Sequence, residues 1–168
     1  MSRDPHRSQV DIFISLLVVI FVVLSDRLTK IFFSDFLSLG ESFPVIKNIL
    51  YMTLVHNTGI AFGLFKDQGL VFIVVPIIAI ILLVFNIYYY RQNGEALCRT
   101  YIGGFSLILG GAIGNLYDRI VHGFVIDFIN FRIWPVFNMA DSAITIGAVI
   151  IAWKCLNLSK KEKTSNNK

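Results

Sequence analysis

The sequence predicts an α-helical membrane protein: four transmembrane helices, a small extracytoplasmic β-sheet and an interfacial amphipathic helix. Three observations lead there. Of 168 residues, 55% are hydrophobic, and the charges number only 15 Lys or Arg and 11 Asp or Glu. A soluble domain carries about 25% charged residues. The mean hydropathy is +0.69, which also excludes disorder, because disorder needs low hydrophobicity and high charge. Finally, the few charges lie between apolar runs long enough to cross a hydrocarbon core of about 30 Å.

The elements follow in chain order as one integral membrane domain over residues 1–168. The first run, Ile12 to Ser25, reaches spanning length only by continuing through Asp26, Arg27 and Lys30, which places span one at about 12–32. A basic start (Arg3, Arg7) imitates a signal peptide, but no small-x-small cleavage site follows, so the span is expected to stay uncleaved. Residues 33–68 form a long, mixed connection. Within it Ile49 to Val55 is β-branched and aromatic and reads as a strand, while Phe32 to Leu39 reads as the interfacial helix. Gly69 to Tyr90 is 22 residues without a charge and forms span two. Span three covers 99–118 and is rich in small residues. A second extracytoplasmic connection, 119–134, leads to span four at 135–155. A basic tail occupies 156–168.

Orientation comes from the basic residues. Nine of them (Arg3, Arg7, Arg91, Arg99, Lys154, Lys160, Lys161, Lys163, Lys168) fall on one side, against six on the other, so both termini are expected in the cytoplasm. The same bias explains the pI of about 9.2 without nucleic acid, since no basic face with interleaved aromatics lies outside the spans. Cys98 and Cys155 fall near cytoplasmic span ends, where thiols stay reduced. His6, His56 and His122 lack metal-ligand spacing. No disulfide, metal or cofactor is expected.

Polar residues at the span ends carry the functional signal. Asn115, Asp118, Arg119 and His122 share one helix face if span three persists that far. Asn138, Asp141, Ser142 and Thr145 repeat the spacing on span four, so two polar stripes are expected to face inward at similar depth. Gly110 with Gly114, and Ala143 with Gly147, offer small-xxx-small surfaces for close helix approach. An intramembrane acid such as Asp141 is a functional candidate by default. Its bland alternative is an ion pair with Arg119 that only holds helices together. Asp127, set among apolar neighbours, reads first as an ordinary loop or strand-end carboxylate. Trp134-Pro135 reads as an interfacial anchor for span four. On these residues alone, a small proton-coupled transporter or a non-catalytic membrane subunit remains open beside an enzyme.

Four ordered blocks narrow the choice. Gly110-Gly111-Ala112-Ile113-Gly114-Asn115-Leu116-Tyr117-Asp118-Arg119, with Gly123, Val125, Asp127 and Phe128 after it, resembles the signature of bacterial lipoprotein signal peptidases (signal peptidase II). So do Phe137-Asn138-Met139-Ala140-Asp141-Ser142, Asn57-Thr58-Gly59-Ile60-Ala61-Phe62-Gly63, and Asp26 with Lys30. Ile60 departs from the family, which often has Ala there, and the short interval from Asp127 to Asp141 implies a compact last loop. The resemblance implies a multi-pass aspartyl endopeptidase of the bacterial cytoplasmic membrane with its site near the extracytoplasmic face. Its substrates would be diacylglyceryl-modified prolipoproteins cut before the lipidated cysteine, with membrane lipids as other partners; a monomer is the simplest expectation, because one chain makes the site. It further implies Asp127 and Asp141 as the catalytic pair, Asn57, Gly59, Asn115, Asp118, Arg119 and Asn138 as binding and support residues, and Asp26 with Lys30 as a structural pair.

Overall fold

A computed structural model describes residues 5–59 and 99–166, with positions 74, 77, 78, 80, 81 and 85, each of them helical. The remainder of expected span two and the block from Ile60 to Gly63 lie outside the described residues. In chain order the described elements are α1 (Pro5–Phe36), β1 (Ser42–Ile46), β2 (Leu50–Asn57), α2 (Arg99–His122), β3 (Val125–Asn130) and α3 (Met139–Asn166).

Helix α1 starts at a proline, which suits a first turn with no N–H to satisfy, and contains no glycine or further proline up to Phe36. That continuity corrects one expectation. Phe32 to Leu39 does not form a separate interfacial helix, because nothing interrupts α1 before Phe36. The chain turns only afterwards, at Gly40, whose φ of 81° favours glycine.

Among the described residues two helices are long and apolar enough to cross a membrane, α1 over Gln9–Phe36 and α3 over Met139–Asn157. In a soluble core such helices would be covered. Here Phe21 of α1 is 71% exposed, and Leu28, Val149, Trp153 and Leu156 also face outward. The interior is polar instead. Among the described residues the largest fully buried side chains are Lys30, Phe128, Asn138, Asp26, Asp118 and Asp127. Greasy outside and charged inside is the distribution a lipid solvent selects.

Helix α2 packs between α1 and α3, and its glycines decide how closely. A Cβ on Gly110 would lie 2.8 Å from Val22 Cβ on α1, and one on Gly114 would lie 2.6 Å from Asp26 Oδ2. On the facing side, a Cβ on Gly111 would collide with the Ala140 carbonyl oxygen, and one on Gly147 of α3 would lie 2.5 Å from the Gly104 carbonyl oxygen. The glycine surfaces therefore split between two neighbours. Without a hydrophobic drive between helices in lipid, such close packing supplies much of the association.

The sheet is antiparallel throughout, ordered β1-β2-β3. The expected strand is β2; its partners β1 and β3 come from segments read only as connections. One face rests on the end of α1: Leu37 clusters with Leu54 and Ile126, flanked by Phe33, Met52 and Phe124. Phe33 also stacks on Phe128 with ring centroids 4.4 Å apart. This contact fixes β3, and with it Asp127, over the helices.

Gly111→Val is expected to destabilise the protein by about 1–3 kcal/mol through overpacking. Gly103→Val, on the same helix where a Cβ meets nothing within 4 Å, is expected to be near neutral. Thermal unfolding of both variants in detergent checks the contrast.

Candidate active site

Three local devices bring Asp127 and Asp141 to one place. Gly123, with φ of 78°, ends α2 by returning its N–H to the Arg119 carbonyl at 3.1 Å, a left-handed cap that reverses the chain into β3. Beyond β3 the chain doubles back. Phe137 exchanges backbone hydrogen bonds with Ile129 at 2.8 and 3.1 Å, which sets Asn138 beside Asp127. Asn138 then caps α3. Its Oδ1 accepts from Asp141 N at 2.9 Å, while Asp141 Oδ2 accepts from Asn138 N at 3.3 Å. This reciprocal pair is a capping box, and it places the Asp141 carboxylate at the positive end of α3.

Three asparagines serve the two acids. Asn57 Nδ2 donates to Asp127 Oδ2 at 2.8 Å, and Asn138 Nδ2 donates to Asp127 Oδ1 at 2.7 Å. Asn115 Nδ2 donates to Asp141 Oδ1 at 2.7 Å. Gly59 N donates to Asn57 Oδ1 at 3.0 Å, fixing the amide so that its Nδ2 faces the acid. Asn138 Nδ2 also donates to Asn115 Oδ1 at 3.0 Å, so Asn138 touches both carboxylates and the third asparagine.

A second cluster lies beneath. The Lys30 ammonium, fully buried, donates to Asp26 Oδ2 at 2.8 Å, Asp118 Oδ2 at 2.8 Å and Asn115 Oδ1 at 3.1 Å. That uses all three of its donors. Asp26 Oδ1 accepts from Ala140 N at 3.0 Å, and Asp118 Oδ2 accepts from Ile126 N at 3.2 Å. Arg27 Nη1 donates to Asp118 Oδ1 at 3.1 Å.

The expected site residues thus separate. Asn57, Gly59, Asn115 and Asn138 gather around Asp127 and Asp141. Asp118 belongs with Asp26 and Lys30, while Arg119, half-buried on the same turn of α2, directs its charge toward Asp141 first, then Asp127 and Asp118. Helix α2 does persist to His122, yet His122 is exposed where the chain turns away, and Thr145 is exposed beside Ile146. The inward stripes are therefore shorter than their spacing implied. The sequence reading passed over Arg27 as a partner of Asp118; its signal was a third charge beside Asp26 and Lys30 in an otherwise apolar helix.

The electrostatics of Asp127 suit proton transfer. Burial first, and then the neighbouring Asp141 carboxylate, push it up to about 7, against the opposing pull of Asn57, Lys30 and Asn138. Its ordinary value is 3.8. Because the folded value is the higher one, the stability it contributes is whole below about pH 4 and is lost as pH rises through about 7. A carboxyl that still holds a proton near neutrality beside a second carboxylate is an acid and base pair in waiting. Among the described residues no cluster of His, Cys, Asp or Glu is arranged to hold a metal ion.

Known proteins resemble this chain over most of its length. Residues 18–157 match the family model described as signal peptidase (SPase) II. A lipoprotein signal peptidase of Halothermothrix orenii is 41% identical over 89% of this chain and 98% of its own length. One from Moorella thermoacetica is 42% identical over 84% of this chain and 91% of its own. A solved bacterial membrane enzyme superposes with a TM-score of 0.79 at 35% identity, covering 94% of this chain and 93% of that one.

In detergent, infrared spectra are expected to show a protonated carboxyl titrating with a midpoint of about 7. Asp127→Asn should abolish that signal. Asp141→Asn should lower the midpoint only partway, because it removes the lesser of the two raising causes and leaves burial in place.

Proposed function

The chain belongs to the signal peptidase II family of aspartic peptidases, and we propose that Asp127 and Asp141 are its catalytic pair. The reaction is removal of the signal peptide from a prolipoprotein, with the cut falling just before a diacylglyceryl-modified cysteine. The observation that carries this reading is the single Asn138 side chain that binds Asp127 and, through the capping box, Asp141.

Peptide hydrolysis without a metal or a nucleophilic side chain needs an activated water. Asp141, ionised, takes a proton from that water as its oxygen attacks the scissile carbonyl carbon. Asp127, protonated, gives its proton to the carbonyl oxygen. The resulting gem-diol collapses as the C–N bond breaks: Asp141 passes the proton it took to the leaving nitrogen, and Asp127 takes one back from a diol hydroxyl, which restores the pair. The division of labour is supported by the value of about 7 for Asp127 and by the chain from the Lys30 ammonium through Asn115 to Asp141 Oδ1. Asn57, held by Gly59, and Asn138 keep Asp127 from rotating away. Asp118 acts at one remove, by holding β3 through Ile126 N. Arg119 orders the neighbouring acids, with its charge acting on Asp141, Asp127 and Asp118.

The finer topology follows the same reading. Four spans, at about 12–32, 69–90, 99–118 and 135–155, run with both termini in the cytoplasm of a bacterial cell and the pair near the outer face. A substrate whose signal helix and acyl chains already sit in the bilayer enters sideways between spans. One chain makes the whole site, so a monomer suffices, and no cofactor is required.

With the purified full chain in liposomes, Asp127→Asn and Asp141→Asn are each expected to lower cleavage of a lipidated precursor by about 10²- to 10⁴-fold, the usual worth of a general acid or base. Membrane insertion should be retained, and a chelator should leave the wild-type rate unchanged. Full cleavage by either variant excludes the pair.

A further inference from the structure

We infer that one end of the sheet is a lipid-binding tip, formed by the Ile46–Ile49 turn and the Phe131–Trp134 loop, which enters the phospholipid headgroup layer of the outer leaflet. The inference rests on the chain's membrane setting and is independent of the aspartyl pair.

Register brings the two segments together. Ile46 pairs with Leu50, and Tyr51 pairs with Pro44 on one side and Asn130 on the other. The β1–β2 turn and the loop after β3 therefore leave the sheet from the same end. The Arg132 guanidinium lies over the Tyr51 ring at 5.2 Å, tying loop to hairpin. Sequence order hides this, since about 80 residues separate the two segments.

The composition of this end is that of a membrane interface. Ile133 is 94% exposed and Trp134 61%, while Ile46 and Ile49 are each at least half exposed. A single exposed isoleucine means nothing, but a cluster marks a surface with a partner. Lys47, also exposed, and Arg132 lie among them. Apolar tips beside cations match the boundary between acyl chains and phosphates, and tryptophan favours that depth.

Both segments hold a non-glycine residue in the left-handed region, Asn48 at φ 67° and Arg132 at φ 65°. For Arg this costs about 1–2 kcal/mol. Two contacts maintain it: Arg132 N donates to Asn130 Oδ1 at 2.8 Å, and the side chain stacks on Tyr51. Such maintained strain collects at working sites, and its effect here is to present Ile133 outward. The loop is also continuous with a spanning helix. Met139 begins α3 only five residues after Trp134, at most about 18 Å of chain.

The test uses the full chain in phospholipid nanodiscs, where both faces are open to solutes. The protein has two tryptophans, so Trp153→Phe leaves Trp134 as the sole reporter. Expected is a blue-shifted emission, quenched by lipids brominated near the headgroup and insensitive to iodide. Ile49→Asp combined with Ile133→Asp should shift the emission to the red and admit iodide, while the unfolding temperature in detergent stays unchanged. Three results overturn the inference: quenching of Trp134 by iodide but not by brominated lipid, protection that arises only when lipidated precursor is added, and protection only at high protein-to-lipid ratio. The second would assign the tip to substrate, the third to another copy of this chain.

Discussion

Everything at the site depends on one buried ammonium. Lys30 has no exposed surface, and taking such an ion out of water costs several kcal/mol unless every donor is matched. It is matched by two carboxylates and one amide, and each of these partners reaches a different part of the fold. Asp26 carries the contact to Ala140 N at the start of α3, Asp118 carries it to Ile126 N on β3, and Asn115 carries it to Asp141. No shift of one element leaves the others satisfied. In lipid, where apolar surfaces gain little from meeting one another, this is how four elements acquire one arrangement.

The same arrangement explains how two carboxylates that repel each other are held close. Neutral amides donate hydrogen bonds to both. Amide hydrogen bonds hold each acid in position, and their pull on Asp127 is outweighed by its burial and by the Asp141 charge. The Lys30 ammonium stands one residue away, screened by two anions and linked to Asp141 through Asn115, while the Arg119 guanidinium acts on the pair from the end of α2. A lysine in direct contact with Asp127 would keep it ionised and remove the proton that the proposed mechanism needs. Distance from the lysine is therefore as much a part of the site as the asparagines.

Much of this was legible in the residues. Long apolar runs, rare charges and an acid inside span four pointed to a membrane protein with chemistry near α2 and α3, and the ordered blocks pointed to the family that the comparisons then showed. Strand β2 was readable from its β-branched run. The rest depended on long-range geometry. Strand β3 is short and carries Asp127 and Asn130, so it has no clean alternation, and β1 contains a proline. The bulge between Met52 and Val55 that sets Asp127 opposite Val55 has no mark in the sequence. Helical spacing implied that His122 and Thr145 face inward, but spacing cannot say where neighbouring helices stop. Asp118 looked like a companion of the proposed catalytic acids because it lies one turn from Asn115; the partners that claim it, Arg27 and Lys30, are some 90 residues away.

The most direct measurement is the unfolding free energy of Lys30→Met set against the triple variant Asp26→Asn/Lys30→Met/Asp118→Asn in the same detergent. If the buried ammonium organises the fold, the single change strands two buried carboxylates and costs about 3–5 kcal/mol, and the triple change, which neutralises them as well, recovers a large part of that loss. A single variant within about 0.5 kcal/mol of wild type, the range of ordinary surface substitutions, would contradict it.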